Sequence, residues 1–213
     1  MTEIRFAVDA VLFDCDGVLV DSLETAAVAW DAWAADFAPG YDFRRQVSHG
    51  VRAADTVAAL VPPERLAEAV TALNAAELDS AEATDAIPGA VALTATIPPE
   101  RWAVVTSAIG ELARRRLAAA GHRRPPAFVA AEDVVRGKPH PDPYLRGAEA
   151  LGVAPGRCVV FEDAPAGVRA ARAAGAAFVV GVGDHLEGEV VDAHVDDLRR
   201  VRWHGDEIVI DVG

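Results

Sequence analysis

Apolar positions along the chain fall into short unbroken runs separated by longer stretches with helical spacing. Ala7 to Phe13 is the first run, rich in β-branched and aromatic residues and ended by Asp14, and it reads as a buried strand. Trp102–Val105, Ala127–Ala130, Arg157–Phe161 and Ala177–Val182 repeat the pattern. Between them, Glu111–Ala120, Pro143–Leu151 and Ala166–Ala174 read as helices, closed by Gly121, Gly152 and Gly175. Strands alternating with helices predict a parallel sheet covered on both faces, an α/β fold.

Residues 22–86 break this rhythm. Leu23–Phe37, Ala53–Leu60 and Pro63–Ala83 all read as helical, with no strand between them, until Ile87-Pro88-Gly89 restores the alternation. A four-helix insertion after the first strand is the simplest account. Trp30, Trp33 and Phe37 fall on one helical face and are expected to form its core. At the other end, Val201 to Val212 alternates around His204-Gly205-Asp206-Glu207, the pattern of a terminal β-hairpin.

Charge narrows the chemistry. The chain has 213 residues, is 52% hydrophobic and carries a net charge of −13. That acidity argues against a nucleic-acid partner, which needs a basic face. It also means that a bound phosphate must be held by local positive groups or by a cation. No apolar run approaches the length of a membrane span, and Met1 to Asp9 lacks the pattern of a signal peptide. Cys15 and Cys158 lie in apolar runs and read as buried thiols, so a cytoplasmic location is expected. Lys138 is the single lysine in a chain otherwise rich in arginine, which marks it for a task that arginine cannot fill.

Ligands of an open parallel sheet bind beyond the carboxyl ends of its strands. After the first strand come Asp14-Cys15-Asp16-Gly17, and after the second Thr106 and Ser107. Lys138-Pro139 follows the third, and Glu162 and Asp163 follow the fourth. An isolated Asp-x-Asp is common in turns, and Thr106-Ser107 or Glu162-Asp163 alone would pass for helix caps. Together they form a set suited to phosphoryl transfer. A carboxylate such as Asp14 is able to attack phosphorus, and Asp16 to protonate the leaving oxygen and then deprotonate water. Asp14, Asp163, Glu162 and a main-chain carbonyl suit magnesium, a hard cation that takes oxygen ligands. Thr106, the Ser107 amide and Lys138 suit the phosphoryl oxygens.

Val11-Leu-Phe-Asp-Cys-Asp-Gly-Val-Leu-Val-Asp-Ser22 resembles the first motif of the haloacid dehalogenase superfamily. Val104-Val-Thr-Ser107, Gly137-Lys-Pro-His-Pro-Asp-Pro143 and Val159-Val-Phe-Glu-Asp-Ala-Pro-Ala-Gly167 resemble the other three. The resemblance implies a Rossmann-like core, residues 1–19 and 87–213, with a helical cap, residues 20–86. It implies Asp14 as nucleophile, Asp16 as general acid and base, and Thr106 and Lys138 as phosphate ligands. Asp14, the Asp16 carbonyl and Asp163 would bind Mg2+.

Asp16 argues against the dehalogenases, which lack it. The absence of a cap lysine excludes the phosphonate-cleaving relatives and weighs against a β-phosphoglucomutase-like hexose-phosphate mutase, the second reading. Ser48-His-Gly-Val-Arg-Ala-Ala-Asp-Thr-Val57 is similar to the cap segment of sugar and polyol phosphatases, so His49, Arg52 and Asp55 are expected to contact substrate. The expected enzyme is a magnesium-dependent phosphatase of a small phosphorylated sugar or polyol, a monomer or homodimer. A non-catalytic binding protein on this fold would be expected to have lost part of the constellation.

Overall fold

The computed structural model describes residues 2–186 and 188–212. The first apolar run is two strands rather than one: β1 (Glu3–Ala7) and β2 (Ala10–Phe13) belong to different sheets. The break falls at Val8-Asp9, whose amides donate to Asp206 and Arg157 carbonyls, while the Asp9 carboxylate takes both prongs of the exposed Arg157 guanidinium at 2.8 and 2.7 Å. A paired surface charge in mid-run is incompatible with one continuous buried strand.

Beyond β2 the chain crosses into the helical insertion through β3 (Val20–Asp21). It builds α1 (Leu23–Phe37), α2 (Phe43–Gln46), α3 (Ala53–Leu60) and α4 (Leu66–Ser80), and returns through β4 (Asp85–Ala86). β3 and β4 pair antiparallel, Val20 with Ala86, so both crossings lie side by side. Trp30, Trp33, Phe43, Val57 and Leu73 are buried together as this unit's own apolar cluster. Each such side chain stabilises the unit by about 1.5–3 kcal/mol. The Trp33 indole also donates to the Ala69 carbonyl on α4 at 2.9 Å, which satisfies its one polar atom.

The rest alternates as expected: α5 (Ala90–Thr96), β5 (Trp102–Val105), α6 (Gly110–Ala119), β6 (Ala127–Val129), α7 (Asp142–Ala150), β7 (Cys158–Glu162), α8 (Pro165–Ala173), β8 (Phe178–Val182) and β9 (Ala193–Val195). The main sheet has the order β6-β5-β2-β7-β8-β9, all parallel. β2, β5 and β7 are buried at every residue, as expected of strands covered on both faces. From β2 the chain fills one side and then the other, so the switch point lies at the carboxyl end of β2. Asp14 stands there.

The terminal hairpin forms from β10 (Val201–His204) and β11 (Glu207–Asp211), but it does not stand alone. β1 pairs antiparallel with β11, Phe6 opposite Ile208, giving a three-stranded sheet. Phe6, Ile208 and Ile210 bury their side chains in the main core, with Phe6 against Phe178 at 4.5 Å between ring centres. Among the described residues, no helix is long and apolar enough to cross a membrane.

Candidate active site

Asp14 and Asp16 sit in the turn that leaves β2. The Asp14 amide donates to Phe161 of β7, and the Cys15 carbonyl accepts from the amides of Leu19 and Val20 at 2.8 and 3.0 Å. Gly17 has a φ of 77°, and a Cβ there would lie 2.0 Å from Asp163 Oδ2. Both the left-handed conformation and the close approach of Asp163 require glycine.

The centre of the site is ionic and buried. Lys138 Nζ lies 2.6 Å from Glu162 Oε1 and 3.0 Å from Asp14 Oδ1. Glu162 is wholly buried and fully engaged. Its Oε1 also accepts from the Tyr144 hydroxyl at 2.6 Å, and its Oε2 accepts from the amides of Asp163 and Ala164, both at 3.1 Å. The first turn of α8 leaves room for this carboxylate because residue 167 is glycine, where a Cβ would fall 1.7 Å from Glu162 Oε1.

Asp14, Glu162 and Asp163 offer oxygens within 4.8 Å of one another, and one ammonium answers the three carboxylates. Burial, then the charge of Glu162, pushes Asp14 up to about 8 against the pull of Lys138. Asp163 is driven well above the usual carboxylate range by burial and by the charges of Glu162 and Asp14. Burial works against the charge on Lys138, but Asp14 and Glu162 outweigh it and hold the ammonium above its ordinary value.

Above this centre a cavity of about 390 Å³ opens between the helical insertion and the sheet, and Asp14, Asp16, Asp163 and Ser107 line its floor. Ser107 Oγ donates to the Gly50 carbonyl at 2.7 Å, joining sheet to insertion. Thr106 is buried just behind, its Oγ1 accepting from the Ala108 amide at 3.0 Å. Asp16 Oδ1 accepts from Ser22 Oγ at 2.6 Å and from Arg116 Nη1 at 2.9 Å.

The insertion contributes Trp30, Phe43, Ser48 and His49 to the cavity. Trp30 is therefore both core and wall. His49 stacks on His185 at 5.2 Å between ring centres, and burial and the neighbouring imidazole lower its pKa. Arg52 and Asp55, expected to contact substrate, are absent from the cavity lining. Asp55 holds the Arg52 guanidinium at 2.7 and 3.1 Å, and Arg52 Nη1 donates to the Val134 and Val135 carbonyls on the loop before Lys138. Arg52, at the start of α3, thus ties the insertion to that loop, and Asp55 holds its guanidinium.

Three participants escaped sequence reasoning. Tyr144, Arg116 and Glu77 are all buried polar groups bound into the site. Arg116 ends the run Arg114-Arg115-Arg116, which reads as a solvated helix face, and nothing local distinguishes its third member.

A parallel sheet with a carboxylate cluster at its switch point, roofed by a helical insertion, is the architecture of a hydrolase of the α/β class. The chain belongs to the haloacid dehalogenase-like hydrolases, whose family model matches residues 8–175. It is 39% identical to glycerol-1-phosphate phosphohydrolase 2 of Saccharomyces cerevisiae over 95% of this chain and 87% of the relative. It is 43% identical to hexitol phosphatase A of Escherichia coli over 77% of this chain and 78% of the relative. Among solved structures, a hydrolase from Pseudomonas syringae superposes with a TM-score of 0.79 at 26% identity, covering 89% of this chain and 94% of that one.

Proposed function

We infer that the protein is a phosphatase that hydrolyses the phosphate monoester of a small sugar or polyol through a phosphorylated Asp14. The observation that carries this reading is the placement of Asp14: at the switch point, on the cavity floor, 3.0 Å from the buried ammonium of Lys138 and two residues before Asp16. The named activities of the relatives from yeast and Escherichia coli support the substrate class.

Asp14 attacks phosphorus, and the bond to the ester oxygen breaks as Asp16 delivers a proton to it. Asp16 then takes a proton from water, which attacks the acyl phosphate and releases inorganic phosphate and free Asp14. Lys138, Thr106 and the Ser107 amide hold phosphoryl oxygens as negative charge shifts among them. Glu162 keeps Lys138 in place, since its own oxygens are already occupied by four donors.

Asp14, Glu162 and Asp163 bring oxygens within 4.8 Å of one another, a donor chemistry that fits magnesium, and the Asp16 carbonyl would complete the set; three buried carboxylates around one ammonium leave negative charge to be balanced. Held by these residues, magnesium would supply positive charge that offsets the repulsion between the Asp14 carboxylate and an anionic phosphate. Residues 20–86 act as a cap over the core of 1–19 and 87–213, and a cavity of about 390 Å³ suits a small leaving group shielded from water. The two free buried cysteines accord with a reducing cytoplasm.

The test is phosphate release from a panel of sugar and polyol monophosphates with magnesium, together with mass spectrometry of acid-quenched enzyme for a phosphate on Asp14. Turnover that Asp14→Asn abolishes is expected. Full turnover in that variant, or none of any ester by the native protein, overturns the reading.

A further inference from the structure

Asp16 is gripped from two sides. Both of its side-chain hydrogen bonds are accepted by Oδ1, from Ser22 at the start of the insertion and from Arg116 on α6. Arg116 Nη2 in turn donates to Glu77 Oε1 on α4 at 3.2 Å. The side chains of Arg116 and Glu77 are 4% and 8% exposed, whereas that of Asp16 is 31% exposed. A buried ionic chain thus runs from the insertion through the core and ends at a carboxylate facing the cavity.

Stability is a poor explanation for this chain. Buried ion pairs often add nothing over apolar residues of the same volume, because desolvation consumes the Coulombic gain. Arg116 Nε is also buried with no hydrogen-bond partner, a further cost. What the chain does achieve is orientation: with Oδ1 fixed by two donors, the carboxylate no longer rotates freely, and Oδ2 is left for proton transfer.

We propose that Arg116 is the positioning residue for Asp16, and that through Glu77 it ties the aim of that carboxylate to the placement of α4. The proposal rests on Asp16 being the acid that protonates the leaving oxygen. Proton delivery matters most when the departing group is a poor one, so loss of the clamp must show as a steeper dependence of kcat/KM on leaving-group basicity. A residue that only shapes the cavity, or only touches substrate, would lower all rates together.

The experiment compares kcat/KM for p-nitrophenyl phosphate and for phenyl phosphate, which differ little in size but much in leaving-group basicity. Arg116→Met is expected to lose about tenfold more on phenyl phosphate than on p-nitrophenyl phosphate, a part of the full contribution of general acid catalysis. Because Arg116→Met strands Glu77 as an unpaired buried carboxylate, the double variant R116M/E77M is measured beside it and should show the same split. Arg116→Lys, which keeps the charge, should recover part of it. Equal losses on both esters in Arg116→Met and in the double variant overturn the proposal. Asp16→Asn separates the two levels of inference. If it also shows no split, the assignment of Asp16 as acid has failed; if it shows one and the Arg116 variants do not, only the clamp is wrong.

Discussion

Lys138 Nζ stands 2.6 Å from Glu162 Oε1 and slightly farther, 3.0 Å, from Asp14 Oδ1, with both partners buried. The single lysine of the chain is therefore held between two carboxylates, the nearer of them Glu162. Glu162, expected among the metal ligands, offers an oxygen within 4.8 Å of Asp14 and Asp163 and at the same time anchors the ammonium.

That relationship gives the first prediction. Glu162→Gln preserves volume but removes the charge beside Lys138 and replaces one accepting oxygen by a donor. The ammonium then loses its anchor, and kcat/KM for a sugar or polyol phosphate should fall about tenfold to a hundredfold, the usual range for groups that support a metal site. Circular dichroism should remain native. An unchanged kcat/KM would show that Lys138 needs no anchor.

Gly17→Ala tests how closely Asp163 approaches the aspartate turn. The new Cβ would sit 2.0 Å from Asp163 Oδ2 and on a residue with φ of 77°. The strained backbone costs about 1–2 kcal/mol, and Asp163 must move. The magnesium concentration for half-maximal activity should therefore rise, and a metal titration with and without EDTA pretreatment measures it. An unaltered titration would separate Asp163 from the metal.

His122 supplies a pH signature outside the site. Burial lowers its pKa from the ordinary 6.5, opposed in part by its Nε2–H donating to the Leu19 carbonyl at 3.0 Å. The unfolded chain thus takes up this proton more readily than the folded protein. The stability contributed by the neutral ring is complete above 6.5 and is lost as the pH falls below it, until the folded imidazole also protonates. Urea unfolding at about pH 7.5 and about pH 5.5 should show a larger drop in midpoint for the native protein than for His122→Gln. Equal drops would mean that the ring is not held neutral.

Much of this architecture was legible in one dimension because the parallel strands are buried on both faces. Trp102–Val105 and Cys158–Glu162 must be apolar almost throughout, so each strand carries a plain signal and its end is marked by the first polar residue. Asp14, Thr106 and Asp163 were found in that way. Weaker elements were not. β9 is three residues with an exposed His194 in its middle, too short for periodicity to register. The split between β1 and β2 depends on Asp9 meeting Arg157, 148 positions away.

The sequence by itself determined the alternation of the main parallel strands with helices, the helical insertion near the start of the chain, and which polar residues would gather at the carboxyl edge of the sheet. Only the tertiary structure decided what those residues do to one another. Arg52 and Asp55 carry the right chemistry for a polyol but close on each other and on the loop before Lys138. Arg116, one arginine among three in a row, turns inward to join Asp16 to Glu77. The physical reason is range. Burial patterns and strand ends are properties of neighbouring residues, whereas the partner of a charged side chain is set by distances between elements far apart in the chain.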